Sequence, residues 1–189
     1  MHDMQDVTPP QISVERQNEV KKASFWISQL FILLATVSGV YLAANQGFKQ
    51  AVEFENMNTY KDTYYLQKSL QNELQDNIII LQKYMEKVQD GAYFGARNEP
   101  LNFYSLVWEN MKFSPTTLSA APEVLRDAQR FYREVARIHQ AVATGNMSIP
   151  NGIKYFQEEI NIINDNTIPM IEKSNASIKV KLDDTNVVL

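Results

Sequence analysis

The sequence predicts an all-α protein in which one N-terminal transmembrane helix continues into an exported antiparallel bundle of three long helices and one short one. Three observations predict it. An uncharged apolar run lies near the N-terminus. Apolar residues recur at spacings of three and four through the rest of the chain. Only 6 glycines and 7 prolines among 189 residues leave little material for a turn-rich β fold.

The apolar run, Ala23 to Ala44, is 22 residues long, and no charged residue occurs from Ala23 to Phe48. As a helix it spans roughly 33 Å, against a hydrocarbon core of about 30 Å. Phe25 and Trp26 stand at one end and Tyr41 and Phe48 at the other, where amphipathic rings favour the headgroup level. A buried core helix rarely runs this far without a charge. A cleaved signal peptide has a shorter apolar region, and here the preceding stretch carries Asp3, Asp6, Glu15 and Glu19. The run therefore reads as an uncleaved anchor. Arg16, Lys21 and Lys22 precede it and only Lys49 follows closely, so the N-terminus is expected in the cytoplasm. In a bacterium this places the span in the inner membrane and the C-terminal domain in the periplasm. The expected divisions are a cytoplasmic tail (1–22), a transmembrane helix (23–44), a periplasmic helical bundle (45–180) and a C-terminal tail (181–189).

Beyond the span, Leu74, Ile78, Leu81, Met85 and Val88 form a helical seam, with Tyr60 and Tyr64 in phase and Leu66 and Leu70 beside it. Nothing obvious breaks the chain before Asp90-Gly91, so span and seam are expected to form one helix, with at most a small break near Gly47. A short second helix is expected from Pro100, a good first-turn residue, to Ser114-Pro115, with Leu101, Tyr104, Trp108 and Met111 near one face. A third, from about Ser119 or Pro122 to Gly145-Asn146, carries Leu125, Ala128, Tyr132, Val135, Ile138 and Val142. The fourth begins near Pro150. Ile153, Phe156, Ile160, Ile163, Thr167, Met170, Ser174 and Ile178 keep one phase through it, which favours a single helix kinked at Pro169 over two.

Composition excludes several chemistries. With no cysteine there is no disulfide framework, thiolate metal site or cysteine nucleophile. A pI of about 5.3 and no basic patch argue against a nucleic-acid binder. The two histidines, His2 and His139, are far apart, and His139 reads as a structural helical residue. No HExxH, paired Glu-x-x-His, Gly-rich phosphate loop or G-x-S-x-G elbow occurs. Glu158-Glu159 and Asp183-Asp184 are neighbours about 100° apart on a helix and do not converge on one substrate. No catalytic residue, cofactor or metal ligand is expected, and the chain does not read as an enzyme.

Two features carry the candidate sites. Ala35, Gly39 and Ala43 recur every four residues in the span, with Ser28 one heptad earlier; small residues so spaced let a second helix approach closely. Gln29 adds a polar group there. Tyr93, Phe94, Phe103, Tyr104, Trp108 and Phe113 gather within about twenty residues. They either cap one end of the core or form a partner or ligand surface.

The stretches W-E-N-M-K-F-S-P-T-T-L and P-E-V-L-R-D-A-Q-R-F-Y, between Trp108 and Tyr132, resemble a pattern in uncharacterised bacterial single-pass membrane proteins. That resemblance implies one N-terminal span, a long helix and an exported helical domain, and carries no functional residues. The expected role is an accessory or scaffold subunit of a membrane complex, docked on another membrane protein or on a second copy. The alternative is a ligand-sensing bundle that signals through a partner.

Overall fold

The computed structural model describes the backbone of residues 12–90 and 95–183, and the side chains from Lys22 onward. All regular structure among these residues is helical. The chain divides into two compact units between Phe54 and Glu55. The helix α1, Ile12–Gln89, contributes to both and passes Gly47 without interruption.

In the first unit, every described side chain is exposed, including Phe25, Trp26, Leu33, Leu34 and Tyr41. Residues 45–54, expected to belong to the bundle, fall in this unit.

The second unit is built on the last part of α1. The seam Leu74, Ile78, Leu81, Met85 and Val88 is buried, together with Leu70 and Tyr84. The polar residues Thr63, Gln67, Gln71, Glu73 and Asn77 are buried beside it. The elements that pack on α1 are the short helix α2 (Leu106–Met111), α3 (Pro122–Ala143), α4 (Ile149–Ile162) and α5 (Ile168–Asp183). Contacts fix their directions. Tyr84 reaches Arg97 and Asn77 reaches Tyr104, so the segment after residue 95 returns along α1. Tyr132 meets Asn77 and His139 meets Tyr84, so α3 runs parallel to α1. Arg130 pairs with Glu159, and Gln71 binds Glu172, so α4 and α5 run back again. The topology is up-down-up-down.

The second element differs from its expected form. Residues 99–105 are not helical, and the helix begins only at Leu106. The reason lies on α1. Asn77 donates to the Tyr104 carbonyl at 2.7 Å and accepts from the Tyr104 N–H at 2.8 Å. Both backbone groups are thereby satisfied without a helix.

Helix α3 follows the expected spacing, but its buried stripe is Val124, Ala128, Phe131, Val135, Ile138 and Val142. Leu125 and Tyr132 flank it, half-buried. Gly145 takes φ +75° just after the helix and donates to the Val142 carbonyl, the usual left-handed glycine termination. Helix α4 then crosses α3 closely at Gly152, where a Cβ would run into the Val142 side chain.

The last helical run is unbroken from Ile149 to Asp183, but a π-helical turn, Ile163–Thr167, separates α4 from α5. Pro169 explains it: its ring clashes with the carbonyl four residues back, and a wider turn relieves the clash. The extra residue also moves the buried face by one position. Before the turn Phe156, Ile160 and Ile163 are buried; after it the buried residues are Ile168, Ile171, Asn175, Ile178 and Leu182. Met170 and Ser174, which continue the earlier phase, are half-buried.

Candidate functional site

Three places bear on function. The first is the small-residue face in the first unit. Ser28, Ala35, Gly39 and Ala43 are all exposed on one side of α1. The Ser28 hydroxyl donates to the Ser24 carbonyl at 2.9 Å, which satisfies it within the helix. A Cβ built on Gly39 meets nothing within 4 Å.

The second place is the aromatic segment in the bundle. Tyr93 and Phe94 lie outside the described residues. The remaining four rings separate into two kinds. Phe103 stacks on Phe131 at 6.0 Å and Trp108 stacks on Tyr132 at 5.7 Å, both half-buried against the core. Tyr104 and Phe113 are exposed, at 61% and 85%, as are Leu106 and Leu118. Two of the four described rings thus pack on the core, and two are exposed.

What holds this segment is a set of polar groups that the sequence does not single out. The buried Glu73 carboxylate accepts from the Val107 N–H at 2.7 Å, the Trp108 N–H at 3.0 Å and the Tyr132 hydroxyl at 2.7 Å. It acts as the N-cap of α2 from another helix, where free N–H groups and the helix dipole favour an anion. The Tyr84 hydroxyl donates to the Arg97 carbonyl at 2.9 Å. His139 Nε2 lies 2.8 Å from the Glu99 carbonyl, an acceptor, so this nitrogen carries the proton. Burial, and then the Glu99 carboxylate, push Tyr84 up to about 12. Burial, followed by the hydrogen bond to Glu73, holds Tyr132 well above the ordinary tyrosine value. Hydrogen bonds from Arg137 and Arg133 hold Glu134 below the usual carboxylate range. Asn77, Glu73 and Tyr132 satisfy one another and the backbone, so they read as fastening and not as catalytic groups.

The third place is a groove of about 470 Å³ along the α1–α5 seam. Thr59, Tyr60 and Thr63 line it from α1, and Lys173, Ser177 and Lys181 from α5. Met170, Ile178 and Ala121 supply apolar wall. The Lys181 ammonium lies 4.8 Å from the centre of the Tyr60 ring. None of these residues was marked by the sequence as a site, because the groove exists only once two segments over a hundred residues apart are packed together.

Among the described residues, no group of three or more His, Asp or Glu is placed to hold a metal ion. Among the described residues, one helix is long and apolar enough to cross a membrane. Comparison of the chain with protein-family models, with curated proteins and with solved structures gives no match.

Proposed function

We propose that this chain is a non-enzymatic, single-pass protein of the bacterial inner membrane, an accessory or scaffold subunit whose periplasmic helical bundle contacts a partner. The observation that supports this reading is the contrast along α1. Phe25, Trp26, Phe31, Leu33 and Leu42 are each more than half exposed, in a helix with no charge from Ala23 to Phe48. Such a surface costs heavily in water and nothing in lipid. The Lys21-Lys22 flank supports a cytoplasmic N-terminus. The Ala35, Gly39, Ala43 face is the proposed seat of another membrane helix, from a partner or a second copy.

The test is topological. A reporter active only outside the cytoplasm should be active when fused after Leu189 and silent when fused at Met1. The mature protein should keep residues 1–22 and resist carbonate extraction. An N-terminus at Asn45 by mass spectrometry, or a protease-accessible N-terminus in intact spheroplasts, overturns the reading. Mild-detergent extraction should then bring down the partner.

A second reading, a ligand-sensing bundle that signals through a partner, is favoured by the groove between α1 and α5.

A further inference from the structure

We infer that the distal half of α5, from Asn175 to Asp183, is a strap that opens from α1 while the rest of the bundle stays folded. The inference concerns the second unit alone and stands whether or not the scaffold reading holds.

The core shows where the strap begins. The continuous hydrophobic core reaches Ile168 and Ile171 on α5 and Leu70 on α1. Ile178 and Leu182 are also buried, but they lie outside that cluster. A polar layer separates them from it. Gln71 donates to Glu172, and Lys181 sits on Tyr60, which fixes an antiparallel register for α1 and α5. That register sets Gln67 opposite Asn175. Both are more than nine-tenths buried. Yet Gln67 Nε2, Gln67 Oε1 and Asn175 Oδ1 have no hydrogen-bond partner among the described residues. One turn away on either side, the polar groups of α1 are engaged elsewhere. The Thr63 hydroxyl donates to the Thr59 carbonyl at 2.7 Å, and the Gln71 side chain is taken by Glu172 and Lys68.

Closing the strap takes three polar atoms out of water and returns no hydrogen bond to them, whereas opening rehydrates them. Of the strap's nine residues only Asn175, Ile178 and Leu182 are buried, so the apolar burial that holds it shut comes from two aliphatic side chains. On one flank lies the groove of about 470 Å³, bordered by Ser177, Ile178 and Lys181, so that side of the strap meets open space. The proximal half is held differently. Ile168 and Ile171 belong to the core, and just before them the Thr167 hydroxyl donates to Asp127 on α3 at 3.4 Å. Opening is therefore confined to the residues beyond the amide layer, as local openings are confined to segments with few buried apolar contacts. It uncovers Ile178 and Leu182, an apolar stripe that the closed bundle conceals.

The test is hydrogen–deuterium exchange of the full chain in phosphatidylcholine nanodiscs, read by mass spectrometry on fragments covering the strap and α3. Amides of 178–183 should exchange through openings at least about 100-fold more frequent than those of 131–142, and without response to low urea, as local openings do. Gln67→Met together with Asn175→Leu replaces the amide layer with hydrocarbon. It should slow strap exchange at least about tenfold, whereas ordinary fraying of a helix end would not respond to that pair. Ile178→Ala keeps the test decisive should circular dichroism show the double variant misfolded. It should speed strap exchange, yet lower the urea midpoint of the bundle less than Ile171→Ala does, because only the difference between closed and open strap can be lost. A strap that exchanges no faster than α3, a folded double variant with unslowed exchange, or an Ile178→Ala midpoint that falls as far as that of Ile171→Ala overturns the inference.

Discussion

Two stretches of α1 share a backbone and differ in what surrounds them. From Ala23 to Ala44 uncharged, mostly apolar side chains lie on every side of the helix, and all are exposed. From Thr63 to Val88 one face, with Gln67, Leu70, Leu74, Ile78, Leu81 and Val88, is buried, while Lys68, Glu86 and Lys87 are exposed on the other. What separates a span from a core helix is less how many apolar residues it holds than how they spread around its axis. A helix apolar all round needs an apolar solvent, whereas one apolar on a stripe needs only a neighbour.

The same substitution in each stretch should break the comparison most sharply. Leu74→Ala removes a side chain with no exposed surface and leaves a cavity, and should cost about 2–5 kcal/mol in urea denaturation of the bundle. Leu34→Ala, on the exposed stretch, should leave that transition unmoved. Equal effects would mean that the first stretch is core after all.

Glu73→Ala should come next. It strips the cap from α2 and leaves the Val107 N–H, the Trp108 N–H and the Tyr132 hydroxyl without their acceptor. A loss of about 2–3 kcal/mol is expected, with the Trp108 fluorescence changing before the global transition. A variant as stable as the parent, with unchanged fluorescence, would show that the carboxylate holds nothing.

In the exposed stretch, Gly39→Ile adds bulk where a partner backbone would approach. It should weaken membrane association by about 1–3 kcal/mol, roughly 5- to 150-fold. Val40→Ile, about 100° round the helix, should change little. Co-purification at equal membrane levels reads the difference, and equal association would assign any partner to the bundle instead.

The smallest effect is on pH dependence, and it belongs to the bundle alone. Tyr84 is raised in the fold, so its neutral form is the one that folding favours. Its contribution is fully present below about pH 10 and is lost as pH rises toward about 12. Tyr132 is raised too and acts in the same direction. Glu134 is lowered, so its contribution is present above the ordinary glutamate range and fades as pH falls below it. Tyr84→Phe should reduce the alkaline loss in denaturant midpoints measured between pH 9 and pH 12.

Where the governing contacts were periodic, the chain showed its fold in advance. Leu74 to Val88, the stripe from Ala128 to Val142, and the long uninterrupted α1 were all readable, because a helix repeats its own geometry every 3.6 residues. Pro169 announced a distortion. It did not announce that the distortion would be a π turn, nor that the buried face would step from the Met170 phase to the Ile171 phase. Phe131 was overlooked because Tyr132, its neighbour, fits the same stripe nearly as well. Of the candidate sites, the Gly39 face follows from spacing alone, and the aromatic segment was visible as composition but not as two populations.

The sequence by itself thus determined the long helical stretches, which of them is apolar all round over part of its length, and where α3 ends before Gly145. Only the tertiary structure decided that residues 99–105 are not helical, that α2 starts at Leu106, and that a groove opens beside Lys173 and Lys181. The reason is the range of the interactions. Helical bonds join residues four apart and leave a period in the sequence. The Asn77 clamp on Tyr104, the Glu73 cap on α2 and the α1–α5 groove join groups 27 to over 100 residues apart, and leave none.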